Sequence, residues 1–216
     1  MSLSDVVQIH PSDFHKPSFR AIEDFINNKY ADKVLHEAGL CLGFHSIIST
    51  SEGLIGHGTG IVNVNVDFKL LVFRPRKGEI VPGAIANSDP TAGIFLDMDF
   101  FEDVIVPPQL LFEGTVWEKD EYDQEAFVWN EHENKFFFDR LEPCLWRVEA
   151  EVWHDISPKM QGPERGKFVE EAEGEGEDGE AKKTPYMLQG SMGFSGLGPI
   201  LWWETVEAEE GAEEGG

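Results

Sequence analysis

Val62-Asn63-Val64-Asn65-Val66-Asp67-Phe68-Lys69-Leu70-Leu71-Val72 decides the fold of the first third of the chain. Val62, Val64, Val66, Phe68, Leu70 and Val72 alternate with Asn63, Asn65, Asp67 and Lys69. A period of two predicts a long strand with one buried face. Pro75 ends it. Immediately upstream, Gly53, Gly56, Gly58 and Gly60 mark residues 52–60 as a loop. Before that, residues 39–48 read as a mostly buried strand. Phe19, Ile22, Phe25, Ile26 and Tyr30 recur at three- and four-residue spacing, one apolar helix face, and Pro17 suits the first turn. Val6-Val7-Gln8-Ile9 is strand-like and stops at Pro11. One helix on a small antiparallel sheet is an α+β domain.

After Lys77-Gly78 the pattern changes to short strands at close spacing. Candidates are residues 79–86, 93–98, 104–106, 127–130, 136–139, 143–153 and 186–192. Pro107-Pro108-Gln109-Leu110-Leu111 reads as a turn or helical plug between the third and fourth. Short strands around such a plug suit a small all-β Greek-key barrel of the OB-fold type. Residues 161–183 are rich in Glu, Gly and Lys and hold too little apolar surface to offset chain entropy, which predicts a disordered acidic insertion. The expected domains are therefore 1–77, 78–204 carrying that insertion, and a disordered acidic tail, 205–216. Leu197-Gly198-Pro199-Ile200-Leu201-Trp202-Trp203 is apolar enough to require docking.

The net charge is −24. Residues 164–216 hold 14 acids and 4 bases, and the remainder holds 27 acids and 13 bases, so the acidity runs through the whole chain. Nucleic-acid binders usually present a basic field that releases counterions from phosphates. Any RNA contact here is expected to be local and weak. No apolar run approaches the roughly 20 residues of a membrane span. Met1-Ser2-Leu3-Ser4-Asp5 lacks the regions of a signal peptide, so an intracellular soluble protein is expected. Cys41 and Cys144 form no CxxC unit and read as buried thiols. The seven histidines show no metal-ligand spacing, Asp97 and Asp99 read as a solvated edge, and no nucleophile or phosphate-loop motif is present. Neither enzyme activity, nor a cofactor, nor a metal is expected.

Several stretches, in order, resemble one family. They are Asp5-Val6-Val7-Gln8-Ile9-His10-Pro11 with Phe14, Lys29-Tyr30-Ala31-Asp32-Lys33-Val34, Gly39-Leu40-Cys41-Leu42, Phe73-Arg74-Pro75 with Gly78-Glu79-Ile80, Phe100-Phe101-Glu102-Asp103-Val104-Ile105-Val106-Pro107, and Leu110-Leu111-Phe112. Val152-Trp153-His154-Asp155-Ile156-Ser157-Pro158 and Gly196-Leu197-Gly198 with Trp202-Trp203 continue them. The chain resembles the RNA polymerase stalk subunits: the seventh subunit of RNA polymerase II, its archaeal counterpart and, in the last two stretches, the polymerase III branch.

The resemblance implies a tip domain, a helix wrapped by an antiparallel sheet, followed by an OB-fold barrel. It implies a non-catalytic nuclear subunit that pairs with a small helical, HRDC-like polymerase subunit. The pair would dock on the polymerase III core beside the clamp, meet initiation factors and support initiation on transfer-RNA and 5S-RNA genes. The family's Gly-Asp-Gly loop motif stands here as Gly58-Thr59-Gly60. With His57 it is the candidate core-docking loop; a plain hairpin loop is the alternative. Phe95, Phe100, Phe101, Trp117, Lys119 and Trp129 are candidate RNA contacts, because bases stack on rings while Lys follows the backbone. Barrel core is the alternative for each aromatic. Trp202 and Trp203, read as adjacent strand residues pointing opposite ways, are candidate partner or interdomain contacts. Two other classes remain: a free-standing OB-fold protein binding single-stranded RNA, and an acidic chaperone resting on the Glu-rich stretches alone.

Overall fold

The computed structural model describes residues 1–56, 58–119, 125–131, 134–154 and 184–203. The expected insertion at 161–183, the tail and His57 lie outside the described residues. The chain divides into two compact units, Met1–Pro75 and Arg76–Gly216.

The first unit is built on β5 (Val62–Phe73). Val64, Val66, Phe68 and Leu70 are buried, while Asn65 and Lys69 are exposed. β5 is flanked by β1 (Ser2–Ile9) and β3 (Gly39–Thr50), and β2 (Lys33–Leu35) extends the far edge, giving the antiparallel order β1-β5-β3-β2. α1 (Ser18–Tyr30) lays Ala21, Ile22 and Ile26 on that sheet, against Val7, Val66 and Phe68. Burying each isoleucine contributes about 1.5–3 kcal/mol. α1 stops where Asp32 takes a left-handed φ of 57° and donates its N–H to Cys41 O at 2.8 Å. β3 pairs irregularly with β5 between Phe44 and Ser46, and Asn27 of α1 accepts the Phe44 N–H at 2.8 Å.

Three features differ from the sequence expectation. β1 begins at Ser2 rather than Val6, pairing residue for residue with β5 along its whole length. The stretch 52–60 is not all loop: β4 (Leu54–Ile55) pairs with Asn63 and Val62. β2, only three residues long, is too short to show a period.

The second unit holds β6 (Ile80–Asp89), β7 (Gly93–Asp97), β8 (Val104–Val106), β9 (Thr115–Lys119), β10 (Glu125–Glu131), β11 (Asn134–Phe137), β12 (Pro143–Trp153), β13 (Tyr186–Ser191) and β14 (Gly198–Pro199). Five of these close a barrel, β6-β7-β8-β13-β12 and back to β6. The β8–β13 pairing is parallel and the others antiparallel. Numbered along the barrel alone, the order is 1-2-3-5-4, a five-stranded Greek-key closure of the OB type. Ile85, Ile94, Leu96, Val104, Trp146, Val148, Tyr186 and Leu188 fill it.

The expected plug is present as a 3-10 turn, Pro108–Leu110, whose Leu110 carbonyl accepts Met192 N–H at 2.9 Å and Ser191 Oγ–H at 3.1 Å. The strands expected at 127–130 and 136–139 are not barrel strands. As β10 and β11 they join β9, which the sequence did not reveal, in a separate sheet ordered β11-β10-β9. Local periodicity marks a strand but not its partner.

Candidate docking loop and barrel surface

The loop between β4 and β5 is closed by Gly56 N–H donating to Ile61 O at 2.9 Å. Thr59 lies between Gly58 (φ 79°) and Gly60 (φ 68°). Both angles are left-handed, which glycine adopts without penalty, so the Gly-Thr-Gly spacing is a backbone requirement of this turn. Thr59 N–H and Oγ both reach Gly56 O at 3.4 Å. Among the described residues, a Cβ on Gly58 would meet nothing within 4 Å. A Cβ on Gly60 would sit 3.3 Å from Pro11 Cγ, so the 3-10 turn Pro11–Asp13 backs the loop.

On the same sheet, Asp5 accepts Lys29 Nζ at 2.5 Å, Tyr30 Oη at 2.7 Å and Val6 N–H at 2.9 Å. Partial burial pushes the Asp5 carboxyl up, but these hydrogen bonds outweigh it and hold the group below the usual range. Asp67 is held low by hydrogen bonds from Ser4 and Ser49.

The candidate RNA contacts do not form one surface. Phe95 is half-buried on β7. Phe101 is 5% exposed and packs on Tyr186 at 5.6 Å, so it belongs to the barrel core and has no open face for a base. Phe100, beside it, is 50% exposed. Trp117 and Lys119 stand on β9, outside the barrel; Trp117 packs edge-on against Phe127 at 4.8 Å and Lys119 lies 3.8 Å from Glu125. Trp129 stacks on Phe112 at 4.2 Å.

Trp129 and the Trp202–Trp203 pair, assigned to different tasks by sequence, meet in one aromatic seam. Trp202 is 8% exposed, 5.8 Å from Trp129, 5.3 Å from Phe136 and 4.7 Å from Phe138. Trp203 reaches Phe112 at 6.4 Å and donates Nε1–H to Leu197 O at 2.9 Å. The two tryptophans are helical in conformation, not strand residues pointing opposite ways, because β14 ends at Pro199 and Ile200 N–H turns back to Pro143 O at 3.0 Å. The seam fastens the inserted sheet beside β12.

Burial pushes the Cys144 thiol up to about 12, with the Glu142 carboxylate adding to it. Burial likewise raises Cys41. Among the described residues no group of three or more His, Cys, Asp or Glu is arranged to hold a metal ion, and no helix is long and apolar enough to cross a membrane.

Residues 79–203 match the family model for RNA polymerase III subunit Rpc25, and residues 4–60 match the SHS2 domain found in the N terminus of Rpb7p and Rpc25p. The chain belongs to the Rpc25 family of RNA polymerase III subunits. It is 34% identical to DNA-directed RNA polymerase III subunit RPC8 of Saccharomyces cerevisiae, over 94% of this chain and 97% of that one. Identity to rpc8 of Schizosaccharomyces pombe is 35%, covering 93% and 97%. An archaeal polymerase subunit, Rpo7 of Saccharolobus solfataricus, is 28% identical over 43% of this chain and 51% of its own length. The two matched models fall in the two compact units, with the SHS2 match ending at Gly60 and the Rpc25 match opening at Glu79.

Proposed function

We propose that this chain is the non-catalytic stalk subunit of a nuclear RNA polymerase III. In this reading residues 1–77 are the tip, with the sheet wrapping α1, and residues 78–204 are the OB-fold domain. A small helical, HRDC-like subunit is its heterodimer partner. The loop at residues 56–60 docks on the polymerase core beside the clamp. The pair supports initiation on transfer-RNA and 5S-RNA genes together with initiation factors.

The observation that carries this is the end-to-end similarity to polymerase III subunits named RPC8, over more than nine-tenths of each chain. Similarity confined to the barrel would fit any OB-fold protein; similarity across both units fits a subunit that uses both. The second reading, a free RNA binder, finds less support. Of the six candidate contacts, Phe101 is buried, and Trp117, Lys119 and Trp129 lie off the barrel strands.

The test is purification of the tagged full-length chain from its own cells at moderate salt, followed by mass spectrometry. The reading expects polymerase III core subunits and one small helical protein in stoichiometric amounts. Recovery of the chain with neither removes it.

A further inference from the structure

Val64, Val66, Phe68 and Leu70 of β5 turn toward α1, so the residues between them face the other side of the sheet. On that outer side the strand register sets Ser4 of β1 opposite Asp67 of β5, and Asp67 opposite Ser49 of β3. Both hydroxyls donate to the one carboxylate, Ser4 to Oδ1 and Ser49 to Oδ2, the latter at 2.5 Å. Asp67 thus clasps three strands through exposed serines. The next row is Ser2, Lys69 and Ser46. Ser46 and Ser49 are three residues apart, which in a regular strand would point them to opposite faces. The irregularity between Ile47 and Ser49 sets both opposite outward-facing residues of β5. Lys69 is exposed and is a diagonal neighbour of Ser49, at about 7–8 Å, a gap that a long side chain spans.

A second observation concerns access. β2 pairs only with Gly39, Leu40 and Cys41, so among the described residues β3 has no strand on its far edge from Gly43 to Thr50. Residues 48–55 are all exposed. An open, extended edge is the shape that an enzyme cleft can pair with as an added strand. Glu52 stands three residues after Ser49. Acid-directed protein kinases read a carboxylate at that spacing as part of their substrate charge pattern. A Ser or Thr with such an acid occurs at Ser2, Ser49 and Thr115. At Ser2 the acid is Asp5, already held by Lys29 and Tyr30. At Thr115 the partly buried hydroxyl donates to Phe112 O at 2.8 Å. Ser49 combines an exposed hydroxyl with an exposed acid.

We propose that Ser49 is a phosphorylation site for an acid-directed serine kinase, and that its phosphate leaves Asp67 and pairs with Lys69. The γ-phosphoryl group passes from ATP to Ser49 Oγ. The new O–P bond replaces the bond to the β-phosphate, the hydroxyl proton goes to the kinase's base, and ADP departs. The modified residue cannot donate to Asp67, and its added negative charge repels that carboxylate. The clasp opens on the β3 side while Ser4 keeps its bond. Lys69 is the cation placed to receive the phosphate. This site stands independently of the polymerase reading.

The test treats the folded full-length chain with casein kinase 2, an acid-directed kinase, and ATP. Peptide mapping by mass spectrometry finds phosphate on Ser49 in the wild type and none there in S49A. E52Q, which leaves the hydroxyl and the clasp in place, slows the modification several-fold. Both variants change exposed side chains, and a melting temperature near that of wild type separates recognition from folding. Phosphate on Ser49 only after the chain is denatured, or at an equal rate in E52Q, overturns the site. Phosphorus NMR then titrates the phosphate, whose second pKa is ordinarily about 6. Lys69 holds it lower, and K69Q moves it up. A titration unchanged by K69Q overturns the pairing with Lys69.

Discussion

Asp5 joins two elements through one carboxylate, and its chemistry sets a pH window. The folded group sits below the ordinary aspartate value of 3.8, so the stability it contributes is fully present above that value and is lost as pH falls through the lower, folded value. D5N removes the charged acceptor of Lys29 and Tyr30. The expected cost is about 1 kcal/mol, kept small because Lys29 is half exposed. Thermal melts at pH 7 and at pH 3 check it: the wild-type advantage over D5N narrows at the lower pH, and a gap that widened there would contradict the assignment. The cysteines give a second test at this scale. With Cys144 pushed up to about 12 and both thiols buried, neither reacts with iodoacetamide at pH 8 until the protein unfolds. Intact-mass labelling in native buffer reads this directly, and one modified cysteine in the folded chain would refute it. Asp5 was legible only as part of a family-like stretch. Its bonds to Lys29 and Tyr30 span 24 and 25 residues, a distance no local pattern encodes.

At the scale of elements, legibility follows length and period. β5 announces itself because twelve residues alternate on one face of a half-buried sheet. β2 and β14 are three and two residues long and have no period to show. β9 stayed hidden because Thr115-Val116-Trp117-Glu118-Lys119 leaves Val116 exposed and Trp117 half-buried, without clean alternation. The grouping of β10 and β11 with β9, rather than with the barrel, rests on nonlocal pairing. Trp202 shows the same limit. Its neighbours in space come from β10, β11 and the segments beside them, so adjacency to Trp203 misdirected the reading. Two substitutions test these packings. W202A opens a cavity in the seam and costs about 3–5 kcal/mol, the range for a buried tryptophan; chemical denaturation measures it, and a loss under about 1 kcal/mol would show that the seam contributes little. G93A meets a harder obstacle. Gly93 has φ 115°, and a Cβ there would lie 2.1 Å from Val106 O, inside the β7–β8 pairing. The barrel must break that register to accept a methyl group, so the variant is expected to fold poorly, recovered mainly in the insoluble fraction.

At the scale of the whole molecule, topology and charge together bear on RNA. In an OB barrel the loops joining strands 1 to 2 and 4 to 5 border the ligand face. Here the connection between the fourth and fifth barrel strands, β12 and β13, includes residues 161–183, with eight acids against four bases. That connection therefore carries net negative charge in sequence, and the rest of the chain adds more. Repulsion of a polyanion by exposed charge is screened with a Debye length of about 10 Å at 0.1 M salt, so it weakens sharply as salt rises. The full-length chain alone is expected to bind single-stranded polyuridine more weakly than about 10 µM, within or beyond the non-specific range. Replacing the eight acids of residues 161–183 by their amides should strengthen binding several-fold at low salt, and the difference should vanish at high salt. Fluorescence anisotropy across a salt series measures both. Sub-micromolar binding by the wild type, falling steeply with salt, would instead make RNA the main ligand of the barrel. An affinity unchanged by the amide replacements would mean that the charge between β12 and β13 does not reach the ligand face at all.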